Sequence, residues 1–224
     1  MAHISRFTVL LAIWALLLTG CNDANKKKSE EVGVVDTEQR KADLLQQIDA
    51  KYENPRAHYE LGRIFHTDGL WSKAENEYRV AVAFDPILWD AEAALVKLFQ
   101  DKGDLAKANS SGQNAMERAS YSAAASLGLA KAFQKEYLDE YALKCHSQAL
   151  TLAPDSAEVY KHIGYYYLSK RDLGRAEANL RRSFELDPYQ AEVAGELGRL
   201  GIIVEVPGIE IAPKVEQAPA PESI

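Results

Sequence analysis

Four cations stand on rungs of a 34-residue spacing along this chain. Arg63, Lys97, Lys131 and Arg199 each lie two residues after a large aliphatic, and Tyr165 holds the remaining rung at the same spacing. Stacked cations of this kind can grip a carboxylate or an acidic peptide through charge-assisted hydrogen bonds. On a chain with 26 basic and 33 acidic side chains, net −7, such a ladder stands out. The plainer reading, ordinary solvated helix residues, is open beside it. Enzyme chemistry has little footing. His58, His66, His146 and His162 fall in no metal-helix spacing, and there is no phosphate-binding glycine loop or nucleophile-elbow serine. His58 and His146 read as packing residues. We therefore expect no enzymatic activity, metal, cofactor or small-molecule substrate. An isoelectric point near 5.3 also argues against nucleic acid, whose electrostatic footprint is basic.

The elements that must position the ladder show themselves by repetition. The pairs Leu61-Gly62, Leu95-Val96, Leu129-Ala130, Ile163-Gly164 and Leu197-Gly198 recur every 34 residues without insertion. Units counted from Pro55, Trp89, Ala123 and Ala157 carry alanine at position 20 (Ala74, Ala108, Ala142, Ala176). They carry an aromatic at position 11 (Phe65, Phe99, Phe133, Tyr167) and, except for Ser120, proline at position 32 (Pro86, Pro154, Pro188). Small residues let two helix backbones approach, and proline stops the second helix. The pattern resembles the tetratricopeptide repeat. That resemblance implies an all-α fold, a right-handed superhelical solenoid of four helix–turn–helix units plus flanking helices, stabilised by stacking on neighbours. It also implies that positions 2, 5, 9 and 12 of each first helix line a concave groove for protein partners. Those positions and their neighbours supply Arg56, Tyr59, Arg63, His66, Lys97, Gln100, Lys131, Gln134, Lys161, Tyr165 and Arg199, with Lys135 and Glu158 beside them. Tyr160 and Tyr167 match packing positions, whereas Tyr165 and Tyr166 are left for contacts. The second helix of the second unit, Ala108-Asn109-Ser110-Ser111-Gly112-Gln113-Asn114, contains poor helix formers and reads as the weakest seam.

The flanks differ in character. Arg6 precedes an apolar run, Phe7 to Leu18, too short to span a bilayer and followed by Leu18-Thr19-Gly20-Cys21. These four residues resemble the lipobox of bacterial lipoproteins, which implies removal of 1–20 and an N-acyl and S-diacylglycerol lipid on Cys21. An ordinary signal peptide is the alternative. Asn22 after the cysteine implies, by the sorting rule of enterobacterial lipoproteins, the outer membrane with the protein facing the periplasm. Residues 21–35, with Lys26-Lys27-Lys28, read as a solvated tether, or as one touching anionic head groups. In 36–54 a helix is expected, with Asp36 and Gln39 as a capping box and Ala42, Leu45, Ile48 and Tyr52 on the buried stripe. The four units occupy 55–88, 89–122, 123–156 and 157–190, and a closing helix 191–201. Cys145 reads as a packed apolar residue, with an intermolecular bridge as the other option. In 202–224 the alternation Ile203-Val204-Glu205-Val206 and Ile209-Glu210-Ile211 around Pro207-Gly208 reads as a hairpin or a strand added to a partner's sheet edge. An Ala-Pro-rich end, read as disordered, follows it.

The closing helix Glu196-Leu197-Gly198-Arg199-Leu200 resembles that of the repeat lipoprotein of Tad (Flp) pilus systems. This implies an adaptor helping a secretin localise or assemble. Adaptors of cell-wall hydrolases or synthases, and subunits of outer-membrane protein assembly, are the alternative readings.

Overall fold

The computed structural model describes residues 36–207. The signal peptide, Cys21, the tether and the tail beyond Pro207 lie outside the described residues. Within them the chain is all helix and connection, with no strand. Helix α1 spans 36–50. It is followed by α2 (Pro55–Thr67), α3 (Trp71–Phe84), α4 (Trp89–Asp101), α5 (Leu105–Ala119), α6 (Ala123–Lys135) and α7 (Asp139–Leu152). Then come α8 (Ala157–Ser169), α9 (Leu173–Leu186) and the nine-residue α10 (Ala191–Arg199). The residues that open each 34-residue period are the first residues of α2, α4, α6, α8 and α10. This is the tetratricopeptide-type arrangement of helix pairs.

Local chemistry fixes these boundaries. The Asn54 side chain accepts from the Ala57 amide at 3.2 Å, ahead of Pro55 at the first helical position. Ser122 and Ser156 cap α6 and α8 in the same way, at 3.1 and 3.4 Å. The turn within each pair needs a left-handed residue at position 15. Gly69 (φ 71°) and Gly103 (φ 76°) supply it cheaply, whereas Tyr137 and Arg171 adopt φ 58° with a side chain attached.

The described residues divide into two compact units, with the boundary between Asn114 and Ala115, inside α5. In the first, α2 packs on α3 and both meet α4. Leu44 and Ile48 are the buried residues of α1, while Ala42, Leu45 and Tyr52 are exposed. The buried stripe is therefore rotated by one residue from the expected one, because Leu44 and Leu45 are adjacent and either could have faced inward. Gln39 donates to Asp43 at 3.0 Å, away from the helix start expected of a capping box. Arg40 reaches Glu60 of α2 at 2.9 Å.

In the second unit, α6 packs on α7, both meet α8, α8 packs on α9, and α9 on α10. Leu127, Ala149, Val159 and Ile163 form one core cluster, and Leu180, Val193 and Leu197 another. Each such aliphatic contributes roughly 1.5–3 kcal/mol by leaving water. Ile202 and Val204 pack on the second cluster, with Ile203 89% exposed between them. The stretch 202–206 is thus a strap without strand character on its own last helices, and the second arm of the expected hairpin, Ile209-Glu210-Ile211, lies outside the described residues.

At position 8 of the first and fourth units the following helix comes close. A Cβ on Gly62 would lie 2.7 Å from the Tyr78 ring, and one on Gly164 would lie 2.6 Å from Leu180 Cδ2. Both intruding side chains come from position 24 of the following helix. Small residues at position 8 are thus sockets for a knob on the second helix.

Candidate docking face

Tyr78 and Leu180 turn one side of α3 and α9 onto the first helices, and the candidate docking residues lie on the first helices. In the first unit these are α2 and α4. Arg56 and Arg63 are exposed, and Arg63 lies 3.7 Å from Glu60 one turn away. Lys97 is held by Asp101, and His66 Nε2 reaches the same carboxylate at 3.1 Å. The other nitrogen of His66 meets the Tyr78 hydroxyl at 3.3 Å. Burial lowers the His66 pKa, with Asp101 pulling the other way. His66 is therefore a link between consecutive units more than a groove contact. Gln100, one turn on from Lys97, is half-buried.

Tyr59 is not on the face. It is 6% exposed, with its ring 6.1 Å from that of Tyr78 and the Arg63 guanidinium 5.9 Å above it. At the same position Ala93 and Leu127 are buried too, whereas Lys161 is half-buried and reaches Glu158 and Glu192. Positions 2, 9 and 12 are exposed or half-buried in all four units, and position 6 in all but the second, where Ala94 is buried.

In the second unit the face is built by α6, α8 and α10. Lys161 lies between Glu158 at 2.7 Å and Glu192 of α10 at 2.9 Å, and these bonds raise its pKa. Arg199 is paired with Glu196. Tyr165 is half-buried, its hydroxyl pKa raised by burial and by Glu192 and Glu196. Gln134 is half-buried and Lys131 exposed. Among the described residues no ion-pair partner of Lys131 is found. The basic ladder is therefore charge-compensated at Arg63, Lys97 and Arg199, as is Lys161 beside it, and Lys131 differs from them.

Beside Lys131 lies a hollow of about 450 Å³ between α6 and α8. Leu127, Gly128 and Val159 form its apolar side, and Lys131, Glu158 and His162 its polar side. His162 Nε2 meets Glu158 Oε1 at 2.9 Å, and burial first, then Lys131, lowers the His162 pKa. Sequence reasoning missed this hollow. Its signal was Gly128 and His162, both sixth residues of their units.

Other expected contacts are interior. Tyr166 is buried, 5.1 Å ring to ring from His146, and leaves the contact set. His146 is also buried, and its pKa is driven to about 4, chiefly by burial and then by His162. Cys145 is fully buried with its thiol pushed up to about 12, so it is a packing residue and not an intermolecular bridge. Among the described residues no cluster of histidine, cysteine or carboxylate side chains could hold a metal ion. Nor is any helix there long and apolar enough to cross a membrane.

No protein-family model matches the sequence, and no curated protein matches it. Solved structures are similar in fold. PilF of Pseudomonas aeruginosa is 25% identical at a TM-score of 0.36, over 65% of this chain and 67% of that one. TTC0263, a thermophilic TPR protein of Thermus thermophilus, is 21% identical at 0.40, over 70% and 86%. MamA from Desulfovibrio magneticus RS-1 is 17% identical at 0.36, over 69% and 88%.

Proposed function

We propose that this protein is a non-enzymatic adaptor that holds a protein partner on the outward face of its first helices. One observation carries the reading: knobs on the second helices fill sockets at Gly62 and Gly164, while the first helices present Lys131 and an open hollow. A repeat array stabilised by internal stacking has its chemistry free for a partner, and aromatic and cationic side chains are common anchors there.

The finer reading rests on sequence. Leu18-Thr19-Gly20-Cys21 supports a lipid anchor on Cys21, and Asn22 supports the periplasmic face of the outer membrane. Three acyl chains would make such a tether stable, since one alone binds membranes only marginally. The Glu196–Leu200 sequence supports a role in assembling a Tad/Flp-type pilus or secretion apparatus, with a secretin or pilus assembly component as partner.

A photo-crosslinking residue placed at Lys131 or at Arg181, which is exposed on α9, tests the face in cells. Cross-links to a partner should form from position 131 and not from 181. Equal yields from both would remove the first-helix face as the docking surface. In parallel, Cys21→Ser should move the protein from the membrane to the soluble fraction. Deletion of the gene should reduce multimeric secretin, and undiminished multimers would exclude the secretin assignment.

A further inference from the structure

The hollow between α6 and α8 has more specific chemistry than a generic groove. Its apolar side is made of Leu127 and Val159, both almost wholly buried, with Gly128 beside them in the lining. At about 450 Å³ it has the size of a ligand pocket, more than one aliphatic side chain fills, with room for adjoining backbone. Its polar rim is unequal in charge. Glu158 is already occupied by Lys161 at 2.7 Å and His162 at 2.9 Å, leaving exposed Lys131 as the cation that offers charge to a newcomer. A cationic ligand would meet Lys131 unfavourably, and a purely apolar one would make no use of its charge.

We propose that this hollow recognises an internal partner segment in which an aliphatic side chain is followed by an aspartate or glutamate. The aliphatic group enters against Leu127, Gly128 and Val159, and the carboxylate accepts from Lys131 Nζ. This rests on the docking reading above and specifies its ligand. A partner's terminal carboxylate is the other source of the same charge. It carries the same single charge, but with Lys161 held between Glu158 and Glu192 no second cation is left beside the hollow to clamp a chain end, and the open hollow lets a chain continue past it.

The test uses the full chain, its amide resonances, and four short peptides. Three are blocked at both ends: Ac-Gly-Leu-Asp-Gly-NH2, the same with Asn for Asp, and the same with Ser for Leu. The fourth, Ac-Gly-Gly-Leu, ends in a free carboxylate. The Leu-Asp peptide should bind about three- to fivefold tighter than the Asn control, the scale of an exposed charge pair, and also tighter than the Ser control, through the aliphatic group removed from water. Its shifts should centre on Gly128, Lys131 and His162. Lys131→Gln should erase the preference for Asp over Asn, and Gly128→Leu should erase the preference for Leu over Ser. Lys131 is exposed, so its variant keeps the test valid if the Gly128 variant folds poorly. Equal binding of the blocked peptides, shifts centred elsewhere, or tighter binding of the free carboxylate would overturn the proposal. Were the peptides to fail while cross-links from position 131 persisted, the ligand class would be wrong and the docking face would stand. Failure of both would remove the face as well.

Discussion

Gly164 and Gly198 occupy the same position of consecutive units, yet their surroundings are opposite. Leu180 sits so close over Gly164 that a methyl group would collide with its Cγ at 2.7 Å and approach its backbone nitrogen at 3.3 Å. Gly198 has nothing within 4 Å of the same imagined methyl, because α10 is followed by a strap and not by a second helix. The repeat motif therefore marks a socket without saying whether a knob fills it. In the second unit the sizes are exchanged, with Val96 at position 8 and Gly112 at position 24, and in the third a histidine, His146, stands in the knob position opposite Ala130.

The comparison can be broken most severely at His146. Its pKa is about 4 in the fold against 6.5 when exposed, so the unfolded chain binds a proton first as pH falls. Stability should be full above pH 6.5, decline through the interval to about 4, and lose about 3 kcal/mol there, at 1.36 kcal/mol per unit. His146→Leu, which copies the knob of the fourth unit, should flatten that decline in denaturant titrations at several pH values. Gly164→Ala comes next, with a loss of about 1–3 kcal/mol from overpacking that outweighs alanine's better helix propensity. Gly198→Ala should do the reverse and gain up to about 1 kcal/mol, since only propensity changes. A loss at Gly198 would mean that its socket is filled. The smallest effect is kinetic. Amide exchange should be faster in α5, with Asn109 through Asn114, than in the helices on either side of it. Uniform protection would deny the seam there.

Much of this was legible because period alone places helix starts: Pro55, Trp89, Ala123, Ala157 and Ala191 each open a helix. The faces were harder. Leu44 and Leu45 are equally apolar, and only packing on α2 decides which is buried. Tyr59 and Tyr166 have hydroxyls that suit a surface, but their rings stack on Tyr78 and near His146. The ladder looked basic because cations were read by rung, whereas their carboxylates sit on neighbouring turns. Glu60, Asp101, Glu158 and Glu196 lie three or four residues from Arg63, Lys97, Lys161 and Arg199. That spacing was readable from the sequence. The hollow at Lys131 was not, because it depends on how α6 and α8 approach.

The claim on which the rest depends is that position-24 knobs fill position-8 sockets. A double-mutant cycle at Gly164 and Leu180 tests it directly by equilibrium unfolding. Leu180→Ala alone should cost about 2–5 kcal/mol by emptying the socket. Combined with Gly164→Ala, the added methyl occupies part of that space, and the double variant should be at least about 1 kcal/mol more stable than the sum of the singles. Strict additivity would show that the two positions do not share a space, and would contradict the account.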